Sequence, residues 1–251
     1  TQRYHARELL KLNANTLELF NYTVIDGMEQ FTSDLSTVCQ LRYQVYVNEW
    51  QFEKAEDHPG GIEQDEYDQH SIHLYACAKH SEDVVGTARL ILGSEKSLPI
   101  ESHFGINQLP PGVRREQTAE ISRLAISKEF RCRVLERIFS GAEQGAFKHM
   151  PLIKENIKDL RKRCEHQLVR GLYISLYRES KVRGLTHLFT IMSKGLHMIL
   201  KRWGISFEQI GPARDYHGMR APYLINIEDI ERSLQRNNPA LFNEAQQALQ
   251  H

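Results

Sequence analysis

Two runs of apolar and β-branched residues, separated by a short polar turn, stand out in the first half of the sequence. Residues 73–78 and 84–92 each have the length of a β-strand, and the polar turn 79–83 predicts that they form an antiparallel hairpin. After a connection that contains proline and glycine, residues 120–127 predict a third strand. The core of the chain therefore begins with an antiparallel sheet.

Helical and extended patterns alternate around these strands. Residues 9–22 predict an opening helix, and Ser33 is a suitable cap for a second helix that carries Arg42. The later predicted elements are a charged helical stretch at 133–165, a helix at 166–183, a strand at 188–192, a helix at 194–203, and strands at 207–210 and 223–227. This order is typical of the α/β (α+β) class, with a sheet of mixed direction and helices on its faces.

The composition excludes several classes of protein. The 251 residues include 32 Lys+Arg and 32 Asp+Glu, so the whole chain has no electrostatic preference for nucleic acid or membrane surfaces. The four cysteines form no C-x-x-C pair and predict neither a zinc site nor a disulfide framework. No signal-peptide core and no run of about 20 apolar residues occurs, so we expect a cytoplasmic protein without an integral membrane segment.

Five segments, in order along the chain, carry a resemblance to a known group of enzymes. They are RYQVY at 42–46, EWQF at 49–52, EQDEYD at 63–68, GTARL at 86–90 and EISRLA at 120–125. In kind and order these segments resemble the motifs of acyl-homoserine-lactone synthases.

The C-terminal part has a different resemblance. IGP at 210–212 and YHGMRAPY at 216–223 resemble the acyltransferases associated with PEP-CTERM/exosortase systems, which share the autoinducer-synthase-like core. Bacterial N-acyl amino acid synthases are further relatives.

These resemblances imply a GNAT-like fold, with a mixed, mostly antiparallel central sheet and helices on both faces. The whole chain, 1–251, is then a single acyltransferase domain with a helical insertion at about 133–165 and a C-terminal helical tail at about 228–251. The implied activity moves a medium- or long-chain acyl group from an acyl-carrier-protein (ACP) thioester to the amine of an amino-acid-like small molecule. Strands 120–127 and 188–192 are expected to diverge and admit the thioester arm, and no permanently bound cofactor is expected.

Glu120 is the residue that the resemblance favours as the catalytic base. Strand alternation puts Glu120 and Ser122 on one face of the sheet and Arg123 on the other. One structural alternative is an internal ion pair between Arg89 and Glu120 that orders the sheet, because an unpaired buried charge is costly. Another is the equivalent pair between Asp68 and Arg123.

Asp65 is the second predicted catalytic residue, and the resemblance places further side chains around the substrates. The predicted substrate contacts are Arg42, Trp50, Phe52, Asp68, Arg89, Ser122, Arg123, Leu124, Tyr216, His217 and Arg220. Several of them also have a structural interpretation. Trp50 and Phe52 suit an ordinary core, and Arg42 can pair with acids of its own loop at little gain in stability. Arg220 is either a clamp for an acceptor carboxylate or part of a turn held by neighbouring Tyr and His side chains.

The segment after the third strand bears on the acyl donor. No glycine occurs between Ser127 and Gly141, so the amide nest that cradles coenzyme A pyrophosphate in many GNAT proteins is not expected. We therefore expect acyl-ACP rather than acyl-CoA as the co-substrate, with Arg131 and Arg133 docking the acidic carrier.

Two other functions stay open at this point. One is a homoserine-lactone synthase that uses S-adenosylmethionine, and the other is a non-catalytic module that binds acyl groups or their carrier. A metal held by Asp65, Asp68, His70 and His73 is not expected, because such spacing is frequent by chance. Cys132 is expected to be incidental rather than an acyl-accepting thiol.

Overall fold

The computed structural model describes residues 19–27, 33–79, 83–128 and 151–249, and its side-chain description leaves out 151–161 and 163. The predictions for residues 9–18 and 133–150 therefore lie outside the described residues.

A mixed, mostly antiparallel sheet forms the centre of this described part. The strands are β1 (Phe20–Asp26), β2 (Ser71–Ala78), β3 (Val84–Leu92), β4 (Thr118–Ile126), β5 (His187–Met192), β6 (Glu208–Gln209), β7 (Arg214–Asp215) and β8 (Met219–Asn226). They follow the order β1-β2-β3-β4-β5-β8-β6 in the sheet, and β7 pairs with β8. The β4–β5 pair is parallel and the other described pairs are antiparallel.

Helices cover both faces of the sheet. They are α1 (Ser33–Tyr43), α2 (Pro99–Phe104), α3 (Pro151–Val182), α4 (Lys194–Trp203), α5 (Ile227–Asn237) and α6 (Pro239–Gln247), and a π-helical turn (Gln44–Glu49) extends α1. The ends of α4 follow ordinary capping chemistry. Ser193 accepts a hydrogen bond from the Leu196 amide at the first turn, and Gly204 closes the helix in the left-handed conformation at φ 92°.

The predicted hairpin, the third strand and helix α4 are confirmed. The predicted opening helix is wrong at its end, because Phe20–Asp26 is strand β1. Alternate residues of β1 face the core, which is a period of two, and its backbone pairs with β2 from Phe20–Ala78 to Asp26–Ile72. Helix α3 begins at Pro151, so the part of the predicted insertion that the structure describes is the first half of one long helix.

The two faces of the sheet have different character. One face carries Ile72, Leu90 and Ile121, which pack with Leu168 and Leu172 of α3 in the main hydrophobic core. The other face, towards α1 and α2, carries the polar side chains that the sequence analysis singled out. The site therefore lies on the face opposite α3.

Candidate active site

Strands β4 and β5 separate in the middle of the sheet. Their parallel ladder runs from Thr118–His187 to Ile121–Thr190, whereas β4 continues to Ile126 beside β3. Glu120 pairs with Phe189, one position before the ladder ends. The predicted divergence of these two strands is therefore observed, and it opens next to Glu120.

A β-bulge lies at the same place in β4. The β3–β4 register shifts between the pairs Thr87–Ala125 and Arg89–Ser122, and Arg123 takes a left-handed conformation at φ 49°. A bulge re-aims side chains because it breaks strict alternation. The guanidinium of Arg123 consequently reaches Asp65, which also contacts Arg89 across from Ser122, so the prediction that Arg123 faces away from Ser122 is wrong.

Three guanidiniums and three carboxylates interlock beside the bulge. We name this group the charge network, and its members are Arg42, Arg89, Arg123, Glu63, Asp65 and Asp68. The six formal charges cancel. The two ion pairs predicted as structural alternatives, Arg89–Glu120 and Asp68–Arg123, are not formed. Arg89 pairs with Asp65 and Asp68 instead, and Arg123 pairs with Glu63 and Asp65.

The closed end of the charge network is built around Arg42. Its Nη1 donates to Asp68 Oδ1 at 2.7 Å, its Nε donates to Glu63, and its side chain has no exposed surface. Asp68 is equally buried and also accepts from Arg89 at 2.6 Å. The predicted pairing of Arg42 with acids of its own loop is thus correct, but the pairs are buried. We interpret Arg42 and Asp68 as positioning residues rather than substrate contacts.

The open end of the network consists of Asp65 and Arg123. Their side chains are 22% and 21% exposed, and they meet at 3.0 Å. Arg89 donates to both oxygens of Asp65, at 2.5 and 2.9 Å, and to Ser122 Oγ at 3.0 Å. Asp65 and Arg123 are therefore the members of the network that a substrate can reach.

Ion pairing decides the ionisation of the network. Burial alone would raise the pKa of Asp68, but the neighbouring guanidiniums of Arg42 and Arg89 lower this pKa well below its usual range. The pKa values of Asp65 and Glu63 are lowered in the same way against the effect of burial. All three carboxylates are consequently charged at neutral pH and are poor proton acceptors. The lowered pKa argues against Asp65 as a base, and its catalytic role stays a prediction.

Glu120 has the opposite character. It is 1% exposed, it lies beside Ile91 and Phe189 on the neighbouring strands, and its Oε2 accepts the Ile100 amide at 2.8 Å. Burial raises the pKa of Glu120 to about 8, although the Ile100 hydrogen bond and the charge of Arg89 oppose the shift. A carboxyl group with a pKa near the working pH is suited to accept and release a proton.

Aromatic rings line the approach to these groups. Trp50 stacks on Phe52 at 5.8 Å between ring centroids, Phe52 contacts His217 at 5.2 Å, and His217 contacts Tyr216 at 4.8 Å. Tyr216 in turn contacts Phe104 of α2 at 6.1 Å. We name these five rings the aromatic strip. The structure thus brings Tyr216 and His217 to Phe52 from a distant part of the chain.

Trp50 corrects one of the structural interpretations. Its side chain is 53% exposed and is not a core residue, whereas Phe52 is half-buried. The exposed position follows from the loop after the π-helical turn, where the Trp50 amide donates back to the Val45 carbonyl.

Two residues of the site were absent from the predicted set. Glu63 holds both Arg42 and Arg123, and the Tyr46 hydroxyl donates to the Leu124 carbonyl at 3.1 Å, while the Tyr46 ring lies under Arg123 at 5.5 Å. Both residues belong to segments that carry the family resemblance, so the motif contained the signal. Leu124 itself takes part through its backbone carbonyl, and its side chain packs on the core.

A small apolar cavity lies between the helices of the α3 face and the last paired residues of the β4–β5 ladder. Its volume is about 40 Å³. Ile121 and Leu188 border it from the sheet, and Ile174, Leu234 and Ala245 border it from the helices. Apolar walls of this kind suit the end of a hydrocarbon chain.

The remaining predictions concern a metal site, carrier docking and a membrane segment. His73 is buried, its Nε2 lies 2.9 Å from the Asp68 carbonyl, and burial lowers its pKa to about 4. Among the described residues no group of three or more His, Cys, Asp or Glu is arranged to hold a metal. Arg131, Arg133 and Cys132 lie outside the described residues. In the part searched, no helix is both long and apolar enough to cross a membrane.

Comparison with known proteins is consistent with this architecture. Residues 41–139 match the family model of the acetyltransferase (GNAT) domain. No curated protein sequence matches the chain significantly.

Several solved structures share the fold. The chain is similar to TofI, crystallised in a ternary complex with an inhibitor and MTA, at 15% identity and a TM-score of 0.60 over 88% of this chain and 99% of TofI. It is similar to the AHL synthase LasI at 15% identity and a TM-score of 0.58 over 88% and 94% of the two chains. It is also similar to BjaI, a CoA-dependent acyl-homoserine lactone synthase solved with SAM and isopentyl-CoA, at 17% identity and a TM-score of 0.58 over 86% and 89%. The family match gives the class of activity and the similar structures give the fold: the chain is an acyltransferase with a GNAT-like fold.

Proposed function

We propose that this acyltransferase moves a medium- or long-chain acyl group from acyl-ACP to the amine of an amino-acid-like small molecule by direct attack. The observation that carries the proposal is the position of Glu120, a buried carboxyl group with a raised pKa at the point where β4 and β5 part. The thioester arm would lie in this opening, with its carbonyl near the β4 bulge.

The reaction needs a neutral amine and stabilisation of the oxyanion that forms on the thioester carbonyl. Glu120, as the carboxylate, accepts one proton from the acceptor ammonium, and the amine nitrogen attacks the carbonyl carbon. The carbon–sulfur bond then breaks, and a second proton from the nitrogen passes to the sulfur, so that the carrier leaves as the thiol. Preorganised donors beside a tetrahedral intermediate are worth several kcal/mol. Arg123, at the bulge and partly exposed, is the charged donor best placed for this role.

The rest of the machinery holds these groups in place. Ser122 and Asp65 fix the Arg89 guanidinium, and the buried pairs of Arg42 fix Asp68 and Glu63. The apolar cavity receives the end of the acyl chain. Trp50 and Phe52, the outer part of the aromatic strip, are proposed to contact the substrates at the entrance.

The direct test is product analysis. Purified protein is incubated with dodecanoyl-ACP and a mixture of amino acids, and mass spectrometry identifies acylated products. We expect an N-acyl amide, and we expect Glu120→Gln to lose most of the activity. Acyl-homoserine lactone formed from S-adenosylmethionine would replace the proposal with the synthase reaction. Binding of acyl-ACP without turnover of any amine would contradict it outright.

The similarity of 216–223 to PEP-CTERM/exosortase acyltransferases stays a prediction from sequence.

A further inference from the structure

Two arginines lie directly opposite each other in the β7–β8 hairpin. Arg214 and Arg220 are register partners, so their side chains emerge on the same face of the ribbon. Partners in such a pair have Cβ atoms about 4.5–5.5 Å apart, and like charges in this arrangement destabilise the pair. The arrangement therefore calls for a neighbouring negative charge.

The described part of the chain supplies no carboxylate to either arginine. Instead, the Arg214 guanidinium lies over the Phe104 ring at 5.8 Å, and that of Arg220 lies over the Phe52 ring at 5.5 Å. These two rings belong to the aromatic strip. Contact with a ring holds a guanidinium in place without neutralising its charge. Both positive charges are thus held at the entrance of the site.

A negatively charged side chain, Glu53, lies close to His217 of the aromatic strip. Glu53 Oε1 is 3.8 Å from Arg123 and 4.0 Å from His217, both beyond hydrogen-bond distance, and its side chain is 28% exposed. The His217 ring packs on Phe52, the ring that also supports Arg220. The Phe52–His217 contact therefore has the Glu53 carboxylate near its His217 ring and the Arg220 guanidinium over its Phe52 ring. Arg214, the register partner of Arg220, lies over the Phe104 ring of the same aromatic strip.

We propose that Arg214 and Arg220 bind the α-carboxylate of the acceptor while Glu53 faces its ammonium group, so that the acceptor is a free α-amino acid rather than an uncharged amine. This inference rests on the proposed function and narrows its substrate class. The zwitterion is held by charge-assisted hydrogen bonds, which a guanidinium makes best with a carboxylate. In the reaction the ammonium proton passes to Glu120, the new amide bond replaces the thioester, and the carboxylate stays bound and unchanged.

The test uses matched acceptors that differ only in the carboxylate. Initial rates are measured with dodecanoyl-ACP and the twenty amino acids, then with the amides of the best acceptors. We expect at least about tenfold higher kcat/KM for the acid than for its amide, as loss of a charge-assisted contact requires. Arg214→Gln and Arg220→Gln should each raise KM for the acid by about tenfold and leave KM for dodecanoyl-ACP unchanged. Lysine at both positions should restore part of the preference for the acid.

Controls separate this inference from folding defects and from the proposed function. Arg236→Gln changes an exposed arginine on α5 and should leave all constants unchanged. Each variant should also unfold at the wild-type urea midpoint, which shows that the fold is intact. Equal use of acid and amide by the wild-type enzyme would overturn the inference. So would glutamine variants that raise KM for the donor alone, because the arginines would then bind the carrier phosphate. An absence of product with every acid and every amide would contradict the proposed function instead.

Discussion

At the scale of single residues, the carboxyl groups of the site are of two kinds: Glu63, Asp65 and Asp68 are ionised at neutral pH, whereas Glu120 is protonated. The charge network keeps three carboxylates ionised against burial, because each faces at least one guanidinium. Glu120 forms no ion pair with the described guanidiniums, and burial raises its pKa to about 8, so it keeps its proton at neutral pH. The same face of the sheet therefore carries the fixed charges of the network and, on β4, a carboxyl group that can titrate.

The first prediction concerns Arg42. Its replacement by methionine removes the buried partner of Asp68 and Glu63, so two carboxylates lose part of their compensation. Breaking a buried ion pair from one side costs about 3–5 kcal/mol, and we expect a loss of this size in the free energy of unfolding measured with urea. The exposed Arg236→Met should change stability by less than about 0.5 kcal/mol. A loss below about 1 kcal/mol in Arg42→Met would contradict the structural role of this residue.

The second prediction follows from the raised pKa of Glu120. The folded protein keeps a proton that the unfolded chain releases between its ordinary carboxyl pKa and about 8, so this group's contribution to stability is lost as pH rises through that window. In Glu120→Gln the side chain is an uncharged amide that does not ionise in this pH range. The variant should therefore gain stability relative to wild type between pH 5 and pH 8.5, by up to a few kcal/mol, in urea unfolding at each pH. A difference that does not vary with pH would show that Glu120 ionises normally.

At the scale of elements, the end of the β4–β5 ladder brings the Glu120 carboxyl group and the apolar cavity to adjacent residues of one strand. Glu120 faces the polar side of the sheet, and the next residue, Ile121, borders the cavity on the α3 side. An acyl chain that enters the opening can place its thioester near Glu120 and its end against α3 and α6.

The third prediction uses this geometry. Ala245→Leu on α6 fills part of the cavity, at an overpacking cost of about 1–3 kcal/mol in stability. With a mixture of acyl-ACP chain lengths, we expect products shorter by one or two methylene groups, because each buried CH₂ is worth about 0.8 kcal/mol. Ala248→Leu, a half-buried position of the same C-terminal region outside the cavity lining, is the control. An unchanged product distribution from a folded Ala245→Leu protein would place the acyl chain elsewhere.

Several elements were predictable from sequence, and the reasons are local. The β2–β3 hairpin, β4, β5 and α4 follow from apolar periodicity, turn residues and capping residues, each within a short window. The bulge was not predictable, because a left-handed conformation at Arg123 has no local signature in a residue that usually avoids it. The partners of Arg89 and Arg123 were missed for a related reason: they come from a loop about 20 to 60 positions away, and strand alternation says nothing about loops.

At the scale of the whole molecule, the balanced charge of the chain leaves recognition to local groups. The sum of 32 basic and 32 acidic residues gives no general attraction for an acidic carrier or an anionic cofactor. The choice of donor must then come from contacts with the protein part of the carrier or with its phosphate. The absence of glycine between Ser127 and Gly141 favours the carrier protein.

The fourth prediction is that acyl-ACP is used with a higher kcat/KM than the acyl-CoA of the same chain length. Both donors present the same thioester, so the comparison isolates recognition of the carrier. Addition of salt should weaken the use of acyl-ACP, because charged contacts with an acidic carrier are screened. Equal or better use of acyl-CoA would remove ACP as the preferred partner and leave the chemistry at Glu120 unaffected.

The proposed reaction depends most on Glu120 as the proton acceptor for attack on the thioester. The measurement that tests it is the pH dependence of the single-turnover rate of amide formation, with the non-covalent complex of enzyme and acyl-ACP preformed, in wild type and in Glu120→Gln. We predict that the wild-type rate rises with pH, is half-maximal near pH 8 and levels off at higher pH, and that the variant is slower by about 100-fold or more without that titration. A Glu120→Gln protein that acylates at the parental rate, with the same pH dependence, would contradict the account.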